Sequence, residues 1–151
     1  MEILEKQYLS VESLLSFKTR TTYRKLYSLM EHLDDSLSLL GLKKTGNTIF
    51  TLSENQTVSD EPILDVEIMI PVNEQFKSNE YYVYKPKIRL TNALRGRCSY
   101  DYNDLNEARK EMQHYINRNS HIPLTPYFYK LTKKDGIDEV DIYVSVNENI
   151  V

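Results

Sequence analysis

The chain has 151 residues, of which 40% are hydrophobic and 27% charged, enough for one substantial core and too apolar for global disorder. Its formal charge of −3, with no Lys/Arg run longer than a pair, excludes the electrostatic footprint of a nucleic-acid or acidic-membrane binder. One cysteine, Cys98, excludes an internal disulfide and any two-cysteine metal motif, and four glycines leave no GxGxxG or lysine-bearing phosphate loop.

No apolar run approaches the roughly 18 residues of a membrane span, and the N-terminus lacks a basic region followed by an apolar signal core. A cytoplasmic protein with no cofactor is the expectation. Aromatic character is uneven, with 12 Tyr and no Trp, so amphipathic aromatic surface is abundant.

In chain order, Tyr8 to Phe17 reads as a strand, and Thr21 and Thr22 offer a hydroxyl cap for a helix. Tyr23, Leu26, Leu29, Met30, Leu33, Leu37 and Leu40 recur at threes and fours, one apolar stripe that ends at Gly41. Thr48 to Leu52 is a short strand. Ser53 to Pro62 is polar, acidic and without period, which predicts a loop. Leu64 to Val72 alternates in the strand period, with Val66, Ile68, Ile70 and Val72 on one face and Glu67, Met69 and Pro71 on the other.

Asn73 to Asn79 is a second polar loop and the expected junction between halves. Tyr81 to Arg97 is β-rich, with Pro86 marking an edge or bend. Asp101 or Asn103 caps a second helix with the stripe Tyr102, Leu105, Ala108, Met112, Tyr115 and Ile116. Leu124 to Leu131 is then a strand, Lys133 to Gly136 a hairpin turn, and Val140 to Val146 the closing strand.

The second half repeats the first. Val66, Glu67, Ile68, Met69, Ile70 and Val72 align with Val140, Asp141, Ile142, Tyr143, Val144 and Val146 at a constant offset of 74, and the helix stripes align at 79. One domain over residues 1–151 follows, with repeats of about 3–73 and 80–147, each strand, helix, strand, strand. The fold class is α+β: an antiparallel sheet with both helices on one face and a cleft on the other. Glu67, Met69, Asp141 and Tyr143, together with Ser145, lie opposite the helix-facing sets and would line that cleft. Tyr127 and Tyr129 are placed with them.

The order of elements resembles the GyrI-like, or effector-binding, domain family. The resemblance rests on Leu40-Gly41-Leu42 at a helix end, the strand from Asp65 to Val72, Gly96 ahead of a Tyr-rich helix start, Pro126-Tyr-Phe-Tyr, and Asp141-Ile-Tyr-Val-Ser-Val. It covers nearly the whole chain. It implies a cleft between two halves that takes cationic or apolar small molecules, or protein partners. Where ligand-binding and hydrolytic members carry a glutamate two residues before the late-strand tyrosine, this chain has Tyr127, which is neutral near pH 7. The accompanying tryptophan is missing too. With no DNA-binding segment ahead of the domain, the chain is similar to stand-alone accessory proteins of type VII secretion loci, which implies a chaperone or adaptor for a secreted toxin.

The residues themselves favour a binding module over an enzyme. His32, His114 and His121 have no HxxxH or HExxH spacing, so no metal site is expected. Glu67 and Asp141 could face each other and divide acid and base roles. Carboxylates on half-exposed strands are more often simply solvated. The principal expectation is a protein-binding adaptor whose surface includes Tyr127, Tyr129 and Tyr143. The alternative is a small-molecule-binding protein. Homodimerisation through the free sheet face is compatible with either.

Overall fold

The computed structural model describes residues 1–58 and 61–148. In chain order its elements are β1 (Leu4–Thr21), α1 (Tyr23–Ser36) with a 3-10 turn (Leu37–Leu40), β2 (Ile49–Val58), β3 (Glu61–Pro71), β4 (Val83–Ser99), α2 (Tyr102–Arg118), β5 (His121–Pro123), β6 (Phe128–Lys134) and β7 (Ile137–Glu148). Each half therefore runs strand, helix, strand, strand, with one added short strand, β5. The class is α+β.

Two compact units partition the chain: Val11–Ile88, and Met1–Ser10 together with Arg89–Val151. Both division points fall inside strands, not in the 73–79 segment. The reason is strand length, since β1 and β4 reach 18 and 17 residues and β4 continues straight through Pro86. Near each division point a non-glycine residue takes positive φ, Ser13 at 61° and Asn92 at 48°. These two are 79 positions apart, the offset of the helix stripes. Their partners repeat as well: Val72 N–H donates to Ser13 O (2.8 Å), and the Asn92 side-chain amide donates to Val146 O (2.8 Å).

In the Val11–Ile88 unit, β3 is central, antiparallel to β1 on one side and β2 on the other. Partners across a ladder share a face. Leu15, Phe17 and Thr19 therefore lie with Ile70, Ile68 and Val66, and Phe50 and Leu52 join them from β2. This is the face against which α1 buries Leu26, Met30 and Leu33. Thr22 caps α1 by backbone geometry without a side-chain bond, and Gly41 closes the 3-10 turn at a φ of 72°, which glycine reaches without strain.

The segment expected to be a loop, Ser53 to Pro62, instead extends β2 to Val58 and opens β3 at Glu61, with a register shift between Glu54 and Gln56; residues 59 and 60 lie outside the described residues. Outlying hairpin arms have water on both sides, so polar side chains are compatible with strand there and give no period to read.

In the other unit β7 is central, paired with β4, β6 and, at its end, β5. Val140, Ile142 and Val144 share a face with Cys98, Gly96 and Leu94. That face meets α2, because a Cβ added at Gly96 would come within 3.2 Å of Met112 Sδ. Leu105, Ala108, Met112 and Ile116 form the buried stripe of α2, and the Asp101 side chain caps it by accepting from Asp104 N–H (3.1 Å). Asp135 and Gly136, with φ of 53° and 79°, make the two-residue turn between β6 and β7.

The expected strand from Leu124 to Leu131 begins later, at Phe128. Residues 124–127 belong to no strand. Among the described residues, no helix is long and apolar enough to cross a membrane.

Candidate functional site

The face of β3 turned away from α1 carries Asp65, Glu67, Met69 and Pro71, alongside Arg20, Lys18, Ser16 and Leu14 from β1 and Ser53, Thr51 and Ile49 from β2. It grades from apolar to charged. Leu14, Ile49 and Met69 are buried at one end, Ser16 is buried in the middle, and Lys18, Arg20 and Ser53 are exposed at the other. Over the charged end lies a groove of about 580 Å³ lined by Lys18, Thr19, Arg20, Thr51, Ser53, Asp65, Val66 and Glu67.

Glu67 is the best-anchored group of that groove, its side chain only 17% exposed. Its Oε2 accepts from Ser16 Oγ (2.5 Å) and pairs with Lys85 Nζ (2.5 Å), which reaches it from the start of β4. Burial alone would raise the carboxyl pKa, but the bonds from Lys85 and Ser16 and the nearby Lys85 and Lys18 charges outweigh it and hold it below the ordinary value. Further along the groove Asp65 takes Arg20 Nε (2.8 Å) and Asn55 Nδ2 (2.9 Å), and these bonds, Asn55 first, lower its pKa too.

A pH dependence follows from Glu67. A carboxylate whose folded pKa is depressed stabilises the fold at pH above its unfolded value, near 4.5, and loses that contribution as pH falls through the folded value. Glu67→Gln is expected to cost about 1.5–3 kcal/mol at pH 7, the usual worth of hydrogen bonds to a charged group. The gap between wild type and variant should close as pH drops below 4.5 in urea titrations. A gap that persists at pH 3 would show that Glu67 acts by packing alone.

In the other unit the face opposite α2 carries Asp141, Tyr143 and Ser145 of β7, with Arg97, Arg95 and Ala93 beside them on β4 and Lys130 and Phe128 on β6. Asp141, its side chain 6% exposed, receives Arg97 Nε (2.6 Å) and Nη2 (3.4 Å), a two-pronged pairing that keeps the guanidinium firmly protonated. Burial, then the Asp141 charge, raises the Tyr143 pKa, and the phenol stays neutral. Ser145 Oγ donates to Thr91 O. A shallow hollow of about 170 Å³ lies by Glu2, Arg95, Gly96 and Arg97.

The strand period thus placed Glu67 and Met69, and Asp141 and Tyr143, on the faces it predicts, although Met69, Asp141 and Tyr143 are buried rather than open. Tyr127 and Tyr129 are not where the sequence put them. Tyr129 pairs with Ile142, so it points to the α2 side, where it is 1% exposed and interacts with Arg109. Tyr127 precedes β6 and donates its hydroxyl to Gln113 Oε1 on α2 (3.3 Å). A shift of one residue exchanges strand faces, and Phe128 takes the place beside Tyr143.

Sequence reasoning missed Ser16, Lys85 and Arg97, which satisfy the two carboxylates. Lys18, Arg20 and Asp65 could have been found, since strict alternation along β1 and β3 puts them on the Glu67 face. Among other candidate groups, Cys98 is half-buried and its thiol is pushed up to about 11 by burial and by Asp104, Asp141 and Glu139. His32 and His114 are exposed on the helices, and His121 stacks on Tyr115, ring centroids 6.2 Å apart. Among the described residues no cluster of three His, Cys, Asp or Glu could hold a metal ion.

No protein-family model and no curated protein matches this sequence. Solved structures do match in fold. The chain superimposes on the crystal structure of the EcmrR C-terminal domain with a TM-score of 0.67 at 16% identity, covering 99% of this chain and 100% of that one. It also matches EcmrR in its DNA complex, TM-score 0.69 at 13% identity, covering 97% of this chain but 58% of that one. A hydrolase from Listeria innocua is similar at TM-score 0.53 and 7% identity, covering 97% of this chain and 90% of that one. At such identities the likeness is one of fold: the chain has the fold of the EcmrR C-terminal domain.

Proposed function

We propose that this protein is a non-catalytic small-molecule-binding module of the effector-binding kind, and that its ligand lies in the groove on β1, β2 and β3. The observation that carries the reading is the 580 Å³ groove with a largely buried, ionised Glu67 at its wall. Its volume falls within the range of ordinary ligand sites, roughly 300–1,000 Å³. Fixed charges beside hydroxyls at Thr51 and Ser53 are the convergent polar groups such sites use.

Binding without turnover fits the state of the titratable groups. Glu67 is held ionised by two donors, Asp141 is taken by Arg97, and the Cys98 thiol is protonated at neutral pH. None is poised to move a proton near pH 7. The similarity to an EcmrR domain draws support toward this reading, and the lack of any type VII secretion protein among the neighbours named above leaves the toxin-chaperone reading with the sequence resemblance alone. A cytoplasmic location belongs to the same proposal.

The test is a nuclear magnetic resonance screen of the ¹⁵N-labelled protein against a chemically mixed library of small anions, cations and neutral compounds. Saturable shifts gathered at residues 18–20, 51–53 and 65–67 are expected. A library in which no compound moves those amides would sink the assignment.

A further inference from the structure

Glu67 and Lys85 together bear on which ligands the groove accepts. Lys85 Nζ sits 2.5 Å from Glu67 Oε2, and the same oxygen accepts from Ser16 Oγ. Glu67 Oε2 is therefore already taken twice from within the chain, and an ammonium stands against the carboxylate. The Lys85 side chain is only 35% exposed, so it is held against the sheet and not free in solvent.

Around the same groove Lys18 forms no ion pair among the described residues, while Arg20 is paired to Asp65 at 2.8 Å. Three cations, Lys18, Arg20 and Lys85, meet two anions, Asp65 and Glu67, which leaves one positive charge in excess. Lys18 stands directly across the β1–β3 ladder from Glu67, and Thr51 across the β2–β3 ladder from it. An ammonium and a hydroxyl thus flank the carboxylate that Lys85 has neutralised.

We infer that Lys85 is a built-in counter-ion that closes the groove to cationic ligands and leaves it selective for small organic anions, which Lys18 and the Thr51 and Ser53 hydroxyls receive. This rests on the groove being the ligand site. A cationic ligand would have to expel Lys85 from Glu67 or lie beside its charge, and both oppose binding. An anion meets Lys18 with no displacement. Lys85 acts here through Glu67, as a residue that determines specificity.

The experiment uses two probes of matched size and opposite charge, benzoate and benzyltrimethylammonium, titrated into the ¹⁵N-labelled full chain at low salt. In the wild type, benzoate is expected to shift the amides of Lys18, Thr51, Ser53 and Glu67 with an affinity at least about tenfold above that of the ammonium probe. Lys85→Met should abolish that preference, because Lys18 and Arg20 then only balance Asp65 and Glu67. Lys85→Arg, which keeps the charge, should retain the anion preference and serves if the Met variant fails to fold.

Two results overturn the inference while leaving the groove assignment standing: equal binding of both probes at these amides in the wild type, or an unchanged order in Lys85→Met. If neither probe moves them in any variant, the groove assignment falls and the inference falls with it.

Discussion

Leu105→Ala is expected to cost about 3 kcal/mol of unfolding free energy, read as a lower urea midpoint with an unchanged slope. Leu105 is fully buried in the stripe of α2 that covers β7. Removing three carbons there forfeits their transfer energy and leaves a cavity lined by parts that cannot collapse onto it, and such truncations cost about 2–5 kcal/mol. The sheet side is held by ladders to β4 and β6, and Gly96 already brings backbone close to Met112. Little relaxation is available, which argues against the low end of that range. A loss under about 1 kcal/mol would mean that α2 is not seated on this face as described.

The second large effect separates two tyrosines that look alike in the sequence. Tyr129→Ala is expected to lose about 3–5 kcal/mol, the range for deleting a buried ring. Tyr127→Ala should lose no more than about 1 kcal/mol, since its ring is half-buried and its one described side-chain bond, to Gln113, is long. Had both lined an open binding face, as the sequence reading placed them, neither substitution would matter much to stability. Denaturant titration of the two variants decides the point. Equal and small losses would restore the alternative register and return Tyr129 to the open face.

These outcomes bear on function because they fix which aromatic surface is available. With Tyr129 committed to the α2 side, the helix-opposite face of β6 and β7 shows Phe128 and Arg97, while Tyr143 and Asp141 beside them are buried. The adaptor surface read from the sequence, made of Tyr127, Tyr129 and Tyr143 together, is not a single strand face. The groove of the other unit, built around Glu67, has carboxylates paired with cations along its wall.

The sequence by itself determined the repeated strand–helix–strand–strand order, the two apolar helix stripes and the face parity of β3 and β7, and it narrowed the second helix's cap to Asp101 or Asn103. All of these depend on periods of 2 or 3.6 within short windows, where each side chain's direction follows from its neighbour's. Tertiary structure decided what has no local period. The polar arms of the β2–β3 hairpin are strands because backbone pairing extends past the core, and β6 begins at Phe128 because its register is set by β7, not by residues 124–127. The units divide within β1 and β4, a few residues before the positive-φ positions Ser13 and Asn92, and nothing in residue type announces positive φ for serine. The partners of the two carboxylates are equally non-local: Ser16 lies 51 residues from Glu67 and Arg97 lies 44 from Asp141. Only the folded ladders bring those charges within bonding distance, and with them the tethered Lys85 on which the choice of ligand is argued to depend.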